Sequence, residues 1–441
     1  MTDTQLLILR RLRAPLITLI CAYAISVFGL VLMPGTDPEG RPWHLSLFDA
    51  FYVMSYTATT IGFGEVPHPF SYAQRLWMTV SIYLSVIAWA YAIGALLALA
   101  QNPMFREALA RSRFQARVRR LADRFFVICG YGQSGRRLAE AFDRLGFASV
   151  VIDSDNERLQ PLLVRDTRQP ALGMRGDARL PELLEAAGVR RPNCQGVVVL
   201  TGSDQAARTI AIEARVLAPD LAVLARVKSP GVEQMLASFG VTVVNPFDTF
   251  GFNLGLALSK PDVLRLEDWL TGAPGAAAPP RIEVPRGHWV LAGYGRFGRA
   301  IARALEHAGL TWKGIDVDAN ACGADGIVAD GVADDGLRSA GIERACGLVA
   351  GTDDDANNLA IVTAARRLNP SLFIVIRQNQ IADRRLIDAA RPHMRFVQAQ
   401  LMARECVQLL TTPMLNRFLM QAREQSNEWA VGVCGRIRDL V

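Results

Sequence analysis

Two long apolar stretches dominate the first hundred residues of the chain. Residues 14–33 read APLITLICAYAISVFGLVLM and residues 76–100 read LWMTVSIYLSVIAWAYAIGALLALA, and neither stretch contains a charged side chain. Because twenty helical residues rise about 30 Å, the thickness of a bilayer's hydrocarbon core, we predict two membrane-spanning helices. A cleavable signal peptide is the alternative for the first stretch, but its length and the lack of a small-residue cleavage motif after it argue against this.

After residue 124 the pattern changes to short apolar runs that alternate with amphipathic segments. Five runs predict strands, at residues 125–129, 149–152, 196–201, 222–227 and 241–244. The pattern then repeats: FVICGYGQSGRRLAEAFDRLGFASVVIDSD from residue 126 aligns with WVLAGYGRFGRAIARALEHAGLTWKGIDVD from residue 289. The first copy carries an insertion near residues 161–173. Strands and helices that alternate in two copies predict two α/β Rossmann-like domains, each with a parallel sheet between helices.

These patterns divide the chain into five segments. We predict a membrane α-helical domain over 1–104, a basic linker over 105–124, α/β domains over 125–270 and 288–441, and an Ala/Pro/Gly-rich linker over 271–287 between them. Apolar residues make up 51% of the 441 and charged residues 20%, which excludes a disordered chain. The seven scattered cysteines form no Cys-x-x-Cys pair, so a zinc site and a disulfide framework are not expected.

Basic residues flank the two apolar stretches on the outer sides. The flanking arginines are Arg10, Arg11 and Arg13 before the first stretch, and Arg106, Arg111, Arg113, Arg117, Arg119, Arg120 and Arg124 after the second. The intervening loop carries only Arg41 and Arg75. Because basic flanks stay in the cytoplasm, we expect a multi-pass protein of the cell (inner) membrane with both termini cytoplasmic. These arginines account for much of the net charge of +6 and are expected to face the lipid bilayer, not nucleic acid.

The loop between the two stretches holds the first candidate site. Residues 45–57 are apolar but too few to cross a bilayer, so they predict a short re-entrant helix (a pore helix). The segment that follows is Thr59-Thr60-Ile61-Gly62-Phe63-Gly64. It resembles the selectivity-filter signature of potassium channels, Thr-Val-Gly-Tyr-Gly, with Ile and Phe in place of Val and Tyr.

This resemblance implies that the backbone carbonyls of residues 60–63 replace the hydration shell of K⁺. The K⁺ ligands would come from Thr60, Ile61, Gly62 and Phe63. Carbonyls that share one direction need alternating, partly left-handed backbone, which Gly62 and Gly64 tolerate. Side chains of the other filter residues are expected to point away from the ion. Four copies are required to surround the ion, so we expect a homotetramer.

The sequence departs from the potassium-channel pattern at several positions. Phe63 lacks the usual tyrosine hydroxyl, Glu65 replaces an aspartate, and Val53 stands where many relatives carry a tryptophan. We therefore expect a different set of hydrogen bonds behind the filter. The second apolar stretch contains one glycine, Gly94, and either a bend or close helix packing accounts for it.

Each α/β copy opens with a glycine-rich turn after its first strand. The first contains Gly130, Gly132, Gln133, Ser134, Gly135 and, further on, Asp153; the second contains Gly293, Gly295, Gly298 and Asp316. This spacing is the dinucleotide fingerprint, in which glycines let a phosphate approach a helix N-terminus and the acid binds ribose hydroxyls. The alternative is a tight turn that no longer binds a nucleotide, and this alternative has more weight for the second copy. Arg136 and Arg299 either reach phosphate or face solvent.

The two α/β copies resemble RCK domains, also called TrkA-N domains. The resemblance includes Asp177, at the position that follows the third strand in that family, with Asp330 as its counterpart after Ala329. It implies cytoplasmic sensors, eight of which from four chains form a gating ring. It also implies NAD(H) or an adenine nucleotide as regulatory ligand, with Ca²⁺ as a further family ligand. For residues 352–355, Thr-Asp-Asp-Asp, we favour a helix cap over a divalent-cation site.

Together these features predict a ligand-gated, K⁺-selective channel and not an enzyme. One alternative is a non-conducting or weakly selective cation channel or sensor subunit. A membrane-anchored NAD-dependent oxidoreductase is a second alternative, although neither α/β copy leaves room for a substrate domain.

Overall fold

A computed structural model describes residues 3–164, 166–272, 275–322 and 326–440, with side chains from residue 12 onward except at 163 and 440. Residue 165 of the predicted insertion, residues 273–274 of the predicted linker and the side chains of Arg10 and Arg11 lie outside this description. The chain forms two compact units, and the second begins at Phe114.

The first unit consists of two long helices with a short helix between them. These are α1 (Asp3–Leu32), α2 (Leu47–Ala58) and α3 (Tyr72–Gln101), with two-residue strands β1 (Gly35–Thr36) and β2 (Pro42–Trp43) before α2. Leu12–Leu32 and Tyr72–Gln101 are long and apolar enough to cross a membrane, with mean hydropathies of 2.3 and 2.1. The short helix has 12 residues and begins after Ser46, whose hydroxyl accepts the N–H of Asp49. The predicted spans and the re-entrant helix are thus present as helices.

Close packing joins α1 to its neighbours within this unit. Trp77 of α3 donates its indole N–H to the Ser26 carbonyl at 3.0 Å, and its ring lies over Gly29, where a Cβ would be 2.0 Å from the ring. The hydroxyls of Tyr23 and Ser55 are 2.6 Å apart and tie α1 to α2. At Gly94 a Cβ would meet no described atom within 4 Å, so this glycine is not a close-packing site within the described part of one chain.

The second unit contains two six-stranded sheets in which every strand pairing is parallel. The first sheet follows α4 (Pro103–Arg119) and contains β3 (Phe125–Cys129), β4 (Ala148–Asp153), β5 (Ala171–Arg175), β6 (Cys194–Val199), β7 (Ala222–Arg226) and β8 (Thr242–Val244). Its helices are α5 (Gln133–Arg144), α6 (Asn156–Val164), α7 (Pro181–Ala186), α8 (Asp204–Leu217) and α9 (Pro230–Ser238), and α10 (Pro246–Ser259) and α11 (Pro261–Leu270) follow it. The strand order is β5-β4-β3-β6-β7-β8.

The second sheet repeats this arrangement. It contains β9 (Trp289–Ala292), β10 (Trp312–Asp316), β11 (Gly326–Val328), β12 (Gly347–Ala350), β13 (Phe373–Gln378) and β14 (Met394–Val397), in the order β11-β10-β9-β12-β13-β14. Its helices are α12 (Arg296–His307), α13 (Ala319–Cys322), α14 (Asp334–Ser339), α15 (Asp355–Leu368) and α16 (Arg384–Ala389), with a 3₁₀ turn at Ile342–Arg344. Helices α17 (Gln398–Thr411), α18 (Pro413–Glu424) and α19 (Asn427–Leu440) complete the chain. Because both faces of each sheet are covered, the central strands are continuous apolar runs.

The two copies exchange helices across their interface. Helix α17, which follows the second sheet, packs against α5 of the first copy, where Met402 and Cys406 lie in one core with Phe142. Helix α10, which follows the first sheet, packs against α12 of the second copy, so closely that a Cβ at Gly251 would lie 2.7 Å from the Ala300 carbonyl oxygen. Each copy's first helix is therefore buried by a helix that belongs to the other copy.

Replacement of Gly29 by alanine is expected to lower the thermal stability of the purified protein by several degrees. The new Cβ would displace the Trp77 ring and break its hydrogen bond, and overpacking of this kind costs about 1–3 kcal/mol. Thermal unfolding in detergent measures the effect. Gly94→Ala, in an apolar helix with open space at the glycine, is the matched control. Equal midpoints for both variants and the wild type would show that the Trp77 contact is not stabilising.

Candidate pore loop and nucleotide sites

The loop after α2 has alternating backbone handedness. Thr60, Gly62 and Gly64 have positive φ angles of 61°, 64° and 96°, whereas φ is not positive at Ile61 and Phe63, which lie between them. Left-handed backbone was predicted at the two glycines but not at Thr60, a residue type that rarely adopts it. The N–H groups of Ile61 and Gly62 both donate to the Tyr56 carbonyl, at 2.9 and 3.3 Å, and hold the loop against the end of α2.

Four successive carbonyls of this loop are free to bind a ligand. The carbonyl oxygens of residues 60–63 accept no hydrogen bond from any described residue, whereas the next one, that of Gly64, accepts the Tyr56 hydroxyl at 2.5 Å. The four are the carbonyls of the predicted K⁺ ligands Thr60, Ile61, Gly62 and Phe63. Carbonyl oxygens in a row are hard ligands that suit a dehydrated alkali cation.

Aromatic side chains of α2 support the loop from behind. The Phe63 ring stacks on Tyr52 with ring centroids 6.4 Å apart and contacts Tyr56 edge-on at 5.6 Å. The Tyr56 hydroxyl supplies the hydrogen bond to the loop that a phenylalanine at position 63 cannot make. The expected change in the hydrogen bonds behind this loop is therefore present, and its donor comes from the helix.

Glu65 fixes the outer end of the loop to the start of α3. Its carboxylate accepts the guanidinium of Arg75 at 2.8 and 3.0 Å and the Phe70 N–H at 2.8 Å. The hydrogen bond from Arg75, then that from Phe70, lowers the pKa of Glu65. Because the folded-state pKa is depressed, the contribution of this carboxylate to stability is present above its unfolded pKa and is lost as the pH falls through the folded value.

The three glycines of the first glycine-rich turn have three different roles. Gly130 has φ of 103° and leaves no room for a side chain, since a Cβ would lie 2.8 Å from the Leu200 carbonyl oxygen. A Cβ at Gly135 would lie 2.1 Å from the Gly130 carbonyl oxygen. Gly132, at the N-terminus of α5, has no described atom within 4 Å of its Cβ position. It is the position that a phosphate group can approach.

The second turn repeats this geometry. Gly293 has φ of 94°, and a Cβ at Gly298 would lie 2.4 Å from the Gly293 carbonyl oxygen. Gly295 at the start of α12 faces open space, like Gly132. The backbone therefore gives no reason to treat the second turn as degenerate, and any difference between the two copies lies in their side chains.

The acid after each second strand has a role that its spacing did not predict. Asp153 is 5% exposed, and its carboxylate accepts the N–H of Tyr131 at 2.5 Å and that of Asp155 at 2.8 Å. In the second copy Asp316 accepts the N–H of Tyr294 at 2.8 Å. Each acid thus anchors the middle of its glycine-rich turn. A carboxylate has about four acceptor sites, so these hydrogen bonds leave room for a ribose hydroxyl. The ribose contact stays a prediction.

The remaining predicted site residues lie at the same sheet edges. Asp177 forms an ion pair with Arg179 at 2.7 Å, and the hydrogen bond from Arg179 lowers the pKa of Asp177. Asp330 accepts the Val332 N–H at 2.9 Å. The side-chain amide of Gln133 donates to Gln380 of the second copy. The Ser134 side chain is buried. Of the two arginines after the turns, Arg136 is exposed, and Arg299 donates to the Ala321 carbonyl at 3.0 Å.

Residues 352–355, Thr-Asp-Asp-Asp, form a helix cap, as favoured from the sequence. Asp354 accepts the Asn357 N–H at 2.7 Å, and Asp355 accepts the N–H groups of Asn379 and Gln380 at 2.6 and 2.7 Å. No group of three or more His, Cys, Asp or Glu side chains within the described ranges is placed to hold a metal ion.

Sequence reasoning missed a cluster of basic side chains near the first turn. Arg226 ends β7 and donates to the Thr201 carbonyl at 2.8 Å, and Lys228 donates to the Gly202 carbonyl at 3.1 Å. Burial lowers the pKa of both groups, and the positive charge of Arg296 lowers it further. The position of Arg226 and Lys228 at the carboxyl end of a predicted strand was the available signal.

Gly135→Ala is expected to destabilise the second unit by more than 2 kcal/mol, because its Cβ would overlap the Gly130 carbonyl. Gly132→Ala is the matched control, since the φ of Gly132 is −71° and its Cβ position is open. Chemical unfolding followed by circular dichroism compares the two. Similar midpoints for the two variants would contradict the close approach of α5 to the turn.

Comparison with known families finds matches to both parts of the chain. The TrkA-N domain family matches residues 126–246 and 289–392, about half of the chain, and the ion-channel family matches residues 16–102. Potassium channel protein 1 of Methanocaldococcus jannaschii is 27% identical over 218 residues, which cover 49% of this chain and 64% of that protein. Probable potassium channel protein 2 of the same organism is 26% identical over 249 residues, 56% of this chain and 68% of that protein. The match thus spans less than two thirds of the first relative.

Solved structures with the same fold cover almost the whole chain. The GsuK channel superimposes with a TM-score of 0.55 at 20% identity over 92% of this chain and 99% of its own. The structure of GsuK bound to ADP gives a TM-score of 0.54 at 20% identity, over 93% of this chain and 100% of its own. The GsuK channel bound to NAD gives a TM-score of 0.53 at 18% identity, over 94% of this chain and 85% of its own. They confirm the predicted fold class of two apolar helices followed by two Rossmann-like domains. The chain therefore belongs to the TrkA-N domain family, and its two TrkA-N domains follow a segment that matches the ion-channel family.

Proposed function

We propose that the protein is a homotetrameric, K⁺-selective channel whose TrkA-N domains bind an adenine nucleotide or NAD(H) and thereby gate the pore. The observation that carries the proposal is the loop of residues 59–64, in which left-handed residues alternate and four successive carbonyls have no partner within the described chain. The potassium-channel names of the two relatives agree with it. They give no support to the oxidoreductase alternative.

The geometry of one loop requires further copies for this function. One chain offers a single row of carbonyls, whereas an ion that has lost its water needs oxygens on all sides. The Ile61 and Phe63 side chains are 60% and 63% exposed in one chain, a large apolar surface beside the loop. Four chains around one axis would complete the ion site and cover this surface. Their eight TrkA-N domains would form the gating ring.

Membrane placement follows from the helices and the charges around them. The two long apolar helices would span the cell membrane, with α2 entering from the outer side without crossing it. The arginines near the start of α1 and along α4 support a cytoplasmic location for both termini, and with them for the TrkA-N domains.

Nucleotide binding is supported by the two glycine-rich turns. Gly132 and Gly295 leave open space at helix N-termini, where the N–H groups and the helix dipole attract phosphate. GsuK has been solved bound to ADP and bound to NAD, which makes the same ligand classes candidates for this chain.

Helix α4, which follows α3, packs into the core of the first TrkA-N domain. Phe114 and Val118 of α4 are buried in the core of the first sheet, and Arg191 donates to the carbonyls of Val118 and Leu121. A single residue, Asn102, separates α4 from α3 in the sequence. A displacement of this domain would therefore be transmitted to α3.

Tyr56→Phe is expected to reduce the K⁺ over Na⁺ permeability ratio by about fivefold. The variant removes the hydrogen bond to the Gly64 carbonyl, and one such bond contributes about 1 kcal/mol. Single-channel recording in planar bilayers measures the ratio. Tyr52→Phe removes a hydroxyl from the same aromatic cluster but no hydrogen bond to the loop, and it serves as control. Wild-type channels that pass K⁺ and Na⁺ equally would overturn the proposal of selectivity.

Gly132→Asp is expected to abolish nucleotide binding to the first TrkA-N domain, because a carboxylate would occupy the phosphate position. Calorimetry with ADP and with NAD⁺ measures the affinity, and recording measures the response of the channel to the same ligands. Gly132→Ala retains the open backbone and should bind within a few-fold of the wild type. Equal affinities for Gly132→Asp and the wild type would remove this turn from the site.

A further inference from the structure

Helix α4 has three arginines on one side of the helix. Arg106, Arg113 and Arg117 are separated by seven and then by four residues. Since an α-helix turns about 100° per residue, their side chains start within about 40° of one another around the helix axis. All three side chains are exposed. We call this surface the arginine face, and it forms a row of positive charges about 17 Å long.

The arginine face is separate from the side by which α4 packs. Phe114 and Val118 are buried in the core of the first sheet, and they lie about a quarter of a turn from the arginines around the helix axis. Packing of α4 on the first TrkA-N domain therefore leaves the three guanidinium groups uncovered.

No acid neutralises the arginine face within the part of the chain that the structure describes. Arg106, Arg113 and Arg117 form no ion pair and no side-chain hydrogen bond with a described residue. The one acid of α4, Glu107, lies on the same side of the helix as Phe114. The three charges are therefore available to an anion from outside the described chain.

The chain places the arginine face next to the membrane surface. The apolar helix α3 ends at Gln101, and α4 begins at Pro103. Arg106 thus lies within about 10 Å of the end of α3, a distance over which charges interact at physiological salt. Asn102 between the helices has extended backbone, with φ of −65° and ψ of 120°. This break in the helix allows α4 to run along the membrane surface.

The position of all three arginines on one side is what a surface helix requires. If α4 continued straight out from the membrane, Arg117 would lie about 24 Å beyond the end of α3, where salt screens its charge from the bilayer. If α4 runs along the surface, the whole arginine face reaches the headgroups at once. A role in membrane orientation alone depends on the number of basic residues and not on the side of the helix that they occupy.

The partner that fits this face by charge and location is the anionic phospholipid of the cytoplasmic leaflet. Basic residues immediately after a membrane span bind acidic headgroups, and each one near the surface strengthens the association about fivefold. A guanidinium group donates two parallel hydrogen bonds to phosphate oxygens, which suits arginine to this contact.

Resting on the proposed membrane placement and gating, we propose that the arginine face binds anionic phospholipid headgroups, and that lipid charge is thereby a second regulator of the channel. Phe114 and Val118 fix α4 to the first TrkA-N domain, and Asn102 joins it to α3. Headgroups that hold α4 on the surface therefore restrain both its neighbours. Nucleotide and lipid then act on the same helix, one through the TrkA-N domain and the other through the bilayer.

Hydrogen–deuterium exchange of the full-length protein in lipid nanodiscs tests the contact itself. Discs of phosphatidylcholine alone are compared with discs in which about one third of the lipid is phosphatidylglycerol. We expect the amides of residues 103–119 to exchange at least fivefold more slowly with phosphatidylglycerol, because the headgroups hold the helix on the surface. The difference should disappear in about 1 M salt, where the screening length falls to about 3 Å.

Two double variants remove the same charge from different sides of α4. Arg113→Gln/Arg117→Gln removes two charges of the arginine face and should reduce the effect of phosphatidylglycerol to less than twofold. Arg111→Gln/Arg119→Gln is the matched control, since both residues lie more than about 120° from the centre of that face and should leave the effect unchanged. Thermal unfolding of both variants in detergent confirms that they fold.

Single-channel recording in planar bilayers of the same two compositions tests the regulation. At a fixed ADP concentration, we expect the open probability of the wild type and of Arg111→Gln/Arg119→Gln to differ at least fivefold between the two membranes. For Arg113→Gln/Arg117→Gln the difference should be less than twofold.

Three results would count against the proposals in different ways. Exchange of residues 103–119 that does not depend on phosphatidylglycerol, or an equal loss of the effect in both double variants, would overturn the lipid contact. Lipid-dependent exchange with an open probability that is the same in both membranes would overturn the regulation by lipid. A wild type that conducts no K⁺ in either membrane would refute the proposed channel function, and the exchange measurement would still decide the lipid contact.

Discussion

In both candidate sites a glycine-containing loop leaves backbone groups without a partner, and the polarity of those groups decides which ion each loop attracts. The loop after α2 has four carbonyl oxygens that would bind a cation, and the turns before α5 and α12 have N–H groups that would bind an anion. An unpaired backbone group is costly unless it faces water or a ligand. The fold must therefore hold these loops rigidly, which Tyr56 does for the carbonyls and Asp153 for the glycine-rich turn.

The regular elements follow from the sequence because their apolar patterns are local. The strand at Phe125–Cys129 was predicted to the residue, since it is an uninterrupted apolar run. The strand at Ala171–Arg175 was not identified, because only one of its five residues is fully buried and its pattern is mixed. The left-handed Thr60 was not predicted either, since its conformation is imposed by hydrogen bonds from the loop to the end of α2 and not by its own preference.

What the sequence could not supply is the exchange of helices between the two copies. The repeat predicts two similar domains, but nothing in their spacing indicates that α17 covers α5 and α10 covers α12. This exchange brings Arg296 of one copy to Lys228 of the other. It also brings Gln133 to Gln380 at the related position, where both residues are uncharged. Duplication thus kept one backbone, while the side chains that meet between the two copies diverged.

The free energy of a single nucleotide contact can be compared with what gating requires. A shift of a two-state equilibrium from 1:99 to 99:1 takes about 5.5 kcal/mol. With one nucleotide per chain in the proposed tetramer, each site would have to favour one state by about 1.4 kcal/mol, a tenfold difference in affinity. Hydrogen bonds to a charged group contribute about 1.5–3 kcal/mol. A nucleotide that accepts one such hydrogen bond more in one arrangement of the domains than in the other would therefore supply the required difference.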